Sequence, residues 1–272
     1  MDRYAVMGNP VAHSKSPRIH TLFARQTHQQ LSYEAILVEK QGFNHAVANF
    51  LQHGGMGLNI TVPFKEDAWA LAATRSERAE RAGAVNTLIL EKDGRHFGDN
   101  TDGVGLVRDL LQNHGTALKA KRLLLLGAGG AARGVIEPLL NEKPCLLVIA
   151  NRTADKAVEL ARLFCDFGHT EGCGLGDVAG QSFDLIINAT AASLAGQVPE
   201  LPVSVISTDS RCYDMMYADK PTAFMDWAQQ LGAAHCMDGL GMLVEQAAES
   251  FYLWRDVRPD TGPVIQALRS PP

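Results

Sequence analysis

The sequence predicts an α/β protein built as two lobes, and three observations lead there. Short apolar runs alternate with segments of helical apolar spacing from the first residues onward, the pattern of a parallel sheet wrapped by helices. One such run, near the middle of the chain, opens directly into a glycine-rich turn. At 272 residues a single core is near its practical size limit, so two packed lobes fit the length as well as one large domain.

In chain order, the segments 4–8, 33–38 and 56–61 read as strands. Between them, 17–28 and 43–52 carry apolar residues at helical spacing, with Ser16-Pro17 placed as an N-cap followed by proline at the first helical position. Residues 86–97 read as a hairpin turning at Asp93-Gly94, where the backbone can take positive φ. A second α/β pattern starts with the strand 122–126, the turn from Gly127, a helix to about Leu140 and the strand 145–150. Strands at 183–188 and 211–214 extend that sheet, with helices over 155–167 and 221–231. Two further helices, from Gly241 to Trp254 and over 263–268, are expected to pack back on the first lobe. The expected domains are therefore 1–101, completed by 240–272, and 102–239.

Composition narrows the function. With 46% hydrophobic and 20% charged residues the chain is ordinary globular protein, and a net charge of -5 without a basic block argues against nucleic acid. Its apolar runs fall far short of a membrane span, and the N-terminus lacks the pattern of a signal peptide. A cytoplasmic location is the expectation. The five cysteines are odd in number and widely spaced, so neither a disulfide framework nor a zinc site is expected, and they read as reduced packing residues.

Gly127, Ala128, Gly129, Gly130, Ala131 and Ala132 spell G-x-G-x-x-A between a strand and a helix. The first glycine permits the turn, the second lets backbone approach a pyrophosphate, and the small third position allows close packing of helix on strand. This predicts a Rossmann-type, doubly wound dinucleotide-binding lobe. At the end of the next strand, Asn151-Arg152-Thr153 stands where an NAD-binding protein places Asp or Glu on the ribose. An arginine at that position suits a 2′-phosphate, through paired hydrogen bonds and stacking on adenine. NADP is the expected cofactor, and no metal is expected.

Six further motifs, in order along nearly the whole chain, converge on one family. Gly8-Asn9-Pro10, Ser14-Lys15-Ser16-Pro17, Asn59-Ile60-Thr61-Val62-Pro63-Phe64-Lys65, Gly83-Ala84-Val85-Asn86-Thr87, Gly98-Asp99-Asn100-Thr101-Asp102-Gly103 and Asp238-Gly239-Leu240-Gly241-Met242-Leu243 resemble shikimate dehydrogenase. The resemblance implies an N-terminal substrate lobe with an NADP-binding Rossmann lobe, and NADP-linked interconversion of 3-dehydroshikimate and shikimate in the pathway to chorismate. It implies Lys65 and Asp102 as the acid/base pair at the C3 hydroxyl. Ser14 and Ser16 are implied at the substrate carboxylate, with Tyr217 also in reach of it, and Asn59, Thr61, Asn86 and Gln246 around its hydroxyls. Lys156, Met215, Gly239 and Met242 join the cofactor set, the last two near the nicotinamide. Two stretches depart from the family pattern: Ala191-Ala192, where serine or proline and glycine are usual, and Lys156, where an arginine is common.

Taken singly, these residues have ordinary readings: Ser16 as a helix cap, Asn86 as a turn former, Thr61 as strand filler, Gln246 as an exposed helix residue, Met242 as core, Asp102 as a helix cap. Lys65 stands apart, because a cation at the start of a helix opposes the dipole that its neighbours Glu66 and Asp67 suit. Rival readings are a quinate/shikimate dehydrogenase using NAD, a non-catalytic sensor of shikimate-pathway metabolites, and a general Rossmann redox protein. Monomer and homodimer both stay open.

Overall fold

The computed structural model describes residues 1–270, and the chain divides into two compact units. One comprises Met1–Gly105 and the chain from Val244 on; the other is Leu106–Leu243.

The first unit is built on β1 (Asp2–Gly8), α1 (Ser16–Gln26), β2 (Leu31–Leu37), α2 (Phe43–Gln52), β3 (Gly55–Ile60), α3 (Lys65–Leu71), β4 (Thr74–Arg75), α4 (Glu77–Ala82), β5 (Thr87–Ile89) and β6 (Phe97–Asp99). Its six strands lie in the order β2-β1-β3-β5-β6-β4. β1, β2 and β3 run parallel, and β5 is antiparallel to both β3 and β6. The apolar alternation of β1 splits between two faces, as strand geometry requires. Ala5 and Met7 join Val47, Phe50, Leu58 and Phe64 in a buried cluster, while Tyr4 stacks on Trp254 with ring centroids 4.7 Å apart. The hairpin turns where expected, with Gly94 at φ +81° and the Arg95 N–H donating to Asp93.

α5 (Asp102–Arg108) follows, and then a π-helical turn, Asp109–Asn113. The second unit continues with β7 (Arg122–Leu126), α6 (Gly130–Asn141), β8 (Leu146–Asn151), α7 (Ala154–Leu163), β9 (Thr170–Gly174), β10 (Leu185–Asn188), β11 (Arg211–Asp214), α8 (Ala223–Gln230) and β12 (His235–Asp238). Its sheet is parallel throughout, in the order β12-β11-β10-β7-β8-β9, which is the doubly wound dinucleotide-binding order read from the far edge. Both faces are covered, and so the strands read as continuous apolar runs. In β7, Leu123 and Leu125 pack with Val135, Ile136 and Leu160, while Leu124 and Leu126 pack with Phe183 and Phe224. α9 (Leu240–Arg255) and α10 (Gly262–Arg269) end the described chain.

Several expectations are corrected. Ser16 lies inside the first turn of α1, whose N-cap is Lys15; the Ser14 hydroxyl takes the capping role by accepting the Ser16 N–H. The segment 221–231 begins its helix later, at Ala223, because the Thr222 hydroxyl caps it by accepting the Met225 N–H. The helix over 155–167 breaks at Leu163 into a short 3-10 turn, Cys165–Phe167. β9 and β12 escape the apolar reading because they are the two edges of their sheet, where short, partly polar strands suffice. Of the five cysteines only Cys212 is buried, and Cys145 and Cys165 are exposed.

Candidate active site

The topology of the first unit gathers the polar residues at one end of its sheet. β1 and β3 are parallel, so their C-terminal ends, with Ser14 and Ser16 after one and Thr61 after the other, open on the same edge. β5 runs against β3, with Asn59 opposite Thr87, which brings Asn86 to that edge; β6 runs against β5, with Asp99 opposite Thr87, which delivers Thr101 and Asp102. Backbone bonds lock the arrangement: the Ile60 N–H donates to Asn86 O at 2.8 Å, the Asn86 N–H to Asp99 O at 3.0 Å, and the Val85 N–H to Lys65 O at 2.9 Å.

Lys65, the first residue of α3, pairs with Asp102. Its Nζ donates to Asp102 Oδ2 at 2.5 Å, with the side chains 28% and 14% exposed, so the pair is sheltered yet still reachable. The other carboxylate oxygen, Oδ1, accepts from Asn86 Nδ2 at 2.8 Å. Asp102 begins α5, and its own N–H donates to Asn100 Oδ1 at 3.2 Å. An ammonium carries three donors, and one of those on Lys65 is committed to Asp102. The pair can therefore hold or exchange a proton at an oxygen placed beside Nζ.

A buried amide network surrounds it. Asn86 Nδ2 also approaches Gln246 Oε1 at 3.3 Å, and Asn86 Oδ1 accepts from the Thr101 N–H at 2.9 Å. Asn59 Nδ2 donates to Ser250 Oγ at 2.9 Å and to Asn86 O at 3.2 Å. Its Oδ1 accepts from the Tyr33 hydroxyl at 2.7 Å. Gln246 is buried, not exposed. Sequence reasoning passed over Tyr33, Thr101 and Ser250, since a tyrosine, a threonine and a serine carry no local pattern that separates network members from ordinary filler.

The second unit holds the expected cofactor residues. Gly127, at φ +105°, ends β7 at the point where β8 lies on one side and β10 on the other, the switch point at which doubly wound sheets bind dinucleotides. A Cβ at Gly129 or Gly130 would meet nothing within 4 Å, and Ala128 and Ala131 flank that open cradle. Gly129 is the N-cap of α6 and supplies no side-chain cap, so the first N–H groups of the helix remain for an anion. Ala132, the third position of the motif, is fully buried in the core. Arg152 follows β8 and is exposed, Lys156 is exposed in the first turn of α7, and Asn151 Nδ2 donates to Thr153 O at 2.9 Å. These groups fit a dinucleotide carrying an extra phosphate.

Met215 and Met242 are buried in the core of the same unit. Gly239 is required sterically, since a Cβ there would collide with the Met215 carbonyl. Tyr217 lies after β11 in this second unit, and burial raises its phenol pKa. Across the departure at Ala191-Ala192 the loop is held by another polar group: Ser193 Oγ donates to Asp214 Oδ2 at 2.5 Å, and Thr222 Oγ1 to the same oxygen at 2.6 Å. Among the described residues no cluster of three or more His, Cys, Asp or Glu could hold a metal, and no helix is long and apolar enough to cross a membrane.

A doubly wound sheet with an open glycine cradle, and an α/β unit presenting a lysine–carboxylate pair among amides and hydroxyls, define a dinucleotide-dependent oxidoreductase. Family models match in three stretches: the shikimate dehydrogenase substrate binding domain at residues 6–88, shikimate / quinate 5-dehydrogenase at 109–199, and the shikimate 5'-dehydrogenase C-terminal domain at 239–269. The chain is 59% identical over 269 residues to shikimate dehydrogenase (NADP(+)) of Hahella chejuensis, covering 99% of both chains. Among solved structures it is similar to an Ael1 enzyme from Pseudomonas putida, with TM-score 0.94 and 48% identity over 100% of this chain and 99% of the other. It also resembles shikimate 5-dehydrogenase of Thermus thermophilus in complex with NADP(H) and shikimate, with TM-score 0.88 and 34% identity over 99% of each chain. The chain belongs to the shikimate dehydrogenase family.

Proposed function

We propose that this chain catalyses the reversible NADPH-dependent reduction of 3-dehydroshikimate to shikimate, on the route to chorismate and the aromatic amino acids. The observation that carries the reading is the 2.5 Å Lys65–Asp102 pair, with Asn86 bonded to its carboxylate and Gln246 beside Asn86. The names of the curated relatives support the reaction and the cofactor.

In the direction of reduction, Lys65 Nζ gives a proton to the carbonyl oxygen at C3, and Asp102 holds the ammonium by accepting its hydrogen bond. In the reverse direction the neutral lysine removes the proton of the C3 hydroxyl. A positioned acid/base group of this kind contributes about 10² to 10⁴-fold. NADPH, when bound, supplies the hydride at C3. Backbone from Gly127 to Ala131 would hold its pyrophosphate, Asn151, Arg152, Thr153 and Lys156 its ribose phosphate, and Met215, Gly239 and Met242 its nicotinamide side. Ser14 and Ser16 hold the substrate carboxylate with hydroxyl donors, and Tyr217 adds a third; Asn59, Thr61, Asn86 and Gln246 pair with the ring hydroxyls. Amides and hydroxyls suit this task because they both donate and accept without introducing unpaired charge.

The enzyme acts on small molecules, without nucleic acid or membrane, in the cytoplasm, as a monomer or homodimer. Initial rates with shikimate and with quinate, each with NADP and NAD, test the assignment. Shikimate with NADP is expected to give the highest kcat/KM. Equal efficiency with quinate would favour the quinate/shikimate reading, equal efficiency with NAD would remove the cofactor assignment, and binding without turnover would favour a sensor.

A further inference from the structure

Buried His20 and half-buried Tyr33 form a ring pair that the proposed chemistry does not use. His20 is 0% exposed, and neither ring nitrogen has a hydrogen-bond partner. Unsatisfied buried polar groups are uncommon and carry a cost, so the site has a reason to keep a flat ring there. That ring lies face to face with Tyr33, with centroids 4.1 Å apart and an interplanar angle of 5°, and Phe23, Phe251 and Trp254 close the remaining sides. Burial drives the imidazole pKa down to about 3, against an opposing contribution from the nearby Asn59 amide, and the ring is neutral.

Held on that plate, the Tyr33 hydroxyl donates to Asn59 Oδ1 at 2.7 Å. Burial holds the phenol pKa well above its ordinary value, so the hydroxyl keeps the proton it donates. One phenol thus joins α1, through the His20 ring, to the strand that carries Asn59. The orientation of the Asn59 amide is determined as well: its Nδ2 faces Asn86 O, a carbonyl that can only accept, and its Oδ1 therefore faces Tyr33.

We propose that Tyr33 is a positioning residue for substrate binding, setting the amide orientation of Asn59, and that His20 serves it as a stacking plate through ring shape and not through its nitrogens. The inference rests on the proposed function, which places Asn59 at the substrate.

The test measures KM and kcat for shikimate and KM for NADP in the full-length enzyme and in Tyr33→Phe, His20→Ala and His20→Phe variants, with folding followed by circular dichroism. Tyr33→Phe is expected to raise the shikimate KM about tenfold with kcat within threefold and the NADP KM unchanged. This effect should shrink below twofold when Tyr33→Phe is made in an Asn59→Ala background, because contacting residues couple. His20→Ala should raise the shikimate KM similarly, and His20→Phe, which keeps the plate, should restore it. A native shikimate KM in folded Tyr33→Phe would overturn the positioning role, as would a full tenfold effect persisting without the Asn59 amide. A His20→Phe variant as defective as His20→Ala would overturn the stacking role. Absence of shikimate turnover in the unmodified enzyme would instead reject the proposed function, which separates the two failures.

Discussion

Replacing Lys65 with alanine should separate chemistry from stability by a wide margin. The lysine donates one hydrogen bond, at 2.5 Å, to a carboxylate whose other oxygen is already bonded to Asn86. Loss of the ammonium therefore leaves Asp102 with one partner instead of two, not stranded. The side chains are 28% and 14% exposed, intermediate between surface pairs, worth up to ~1 kcal/mol, and fully buried ones, whose disruption costs about 3 to 5 kcal/mol. A stability loss of about 1 to 2 kcal/mol follows for Lys65→Ala. The rate should fall by far more: removing a positioned proton donor and acceptor costs about 10² to 10⁴-fold in kcat, equivalent to roughly 3 to 5 kcal/mol of barrier. Shikimate KM should change little, because the proposed carboxylate contacts of Ser14 and Ser16 and the amide network are untouched. Turnover at saturating shikimate and NADP, measured beside urea unfolding of the same preparation, decides the matter. A folded variant with kcat within a few-fold of native would remove Lys65 from the proton transfer, and a variant that fails only by unfolding would reduce the pair to a structural role.

Three further outcomes are expected. Arg152→Ala should weaken NADP use about ten- to a hundredfold while leaving NAD use nearly unchanged, since a hydrogen bond to a charged group is worth about 1.5 to 3 kcal/mol; steady-state kinetics with both cofactors checks this, and parallel losses would misplace the 2′-phosphate. Asp99 is 3% exposed and accepts from Ser76 Oγ, from the Asn100 N–H and from two nitrogens of Arg78. Asp99→Asn should therefore destabilise the fold by about 3 kcal/mol in denaturant melts, the lower end for a broken buried pair because Arg78 keeps its contact with Glu249; a loss under about 1 kcal/mol would contradict the packing argument. The neutral His20 makes stability depend on pH. Its folded pKa, about 3, lies below the ordinary 6.5, so the unfolded chain binds the extra proton and stability falls as pH drops through that window. From pH 6.5 to pH 5 this removes about 1.6 kcal/mol. Urea unfolding at both pH values should show that slope in the native protein and its loss in His20→Phe; identical slopes would refute it.

How much of this was legible beforehand depends on whether a feature is local. The strands of the second unit are plain in the sequence because both faces of a parallel sheet are covered, so Leu123 to Leu126 reads as one apolar run. The turn at Gly127 is equally plain, since a positive φ and an open cradle admit few residues. Lys65 announced itself as a cation at the wrong end of a helix, and the ordered motifs pointed to Asp102. Edge strands were not legible: β9, at Thr170–Gly174, includes two glycines and lies half exposed, with no periodic pattern to read.

Tertiary structure alone decided which polar residues cooperate. Asn59 meets Ser250 across 191 positions of sequence, and Lys65 meets Asp102 across 37; such pairings are made by the packing of helices and strands distant in the chain, which no window of sequence contains. The same holds for Ser16, whose place beside a proline suggested a cap until Ser14 was seen to take that bond. His20 is the clearest case. Read in the sequence it is one polar residue on an amphipathic helix, and only the packing of Tyr33, Phe23, Phe251 and Trp254 around it removes water and makes it a neutral plate under a tyrosine. Local sequence encodes backbone preference and apolar periodicity. Burial and hydrogen-bond partnership come from residues far away in the chain, and they determine what a given side chain can do.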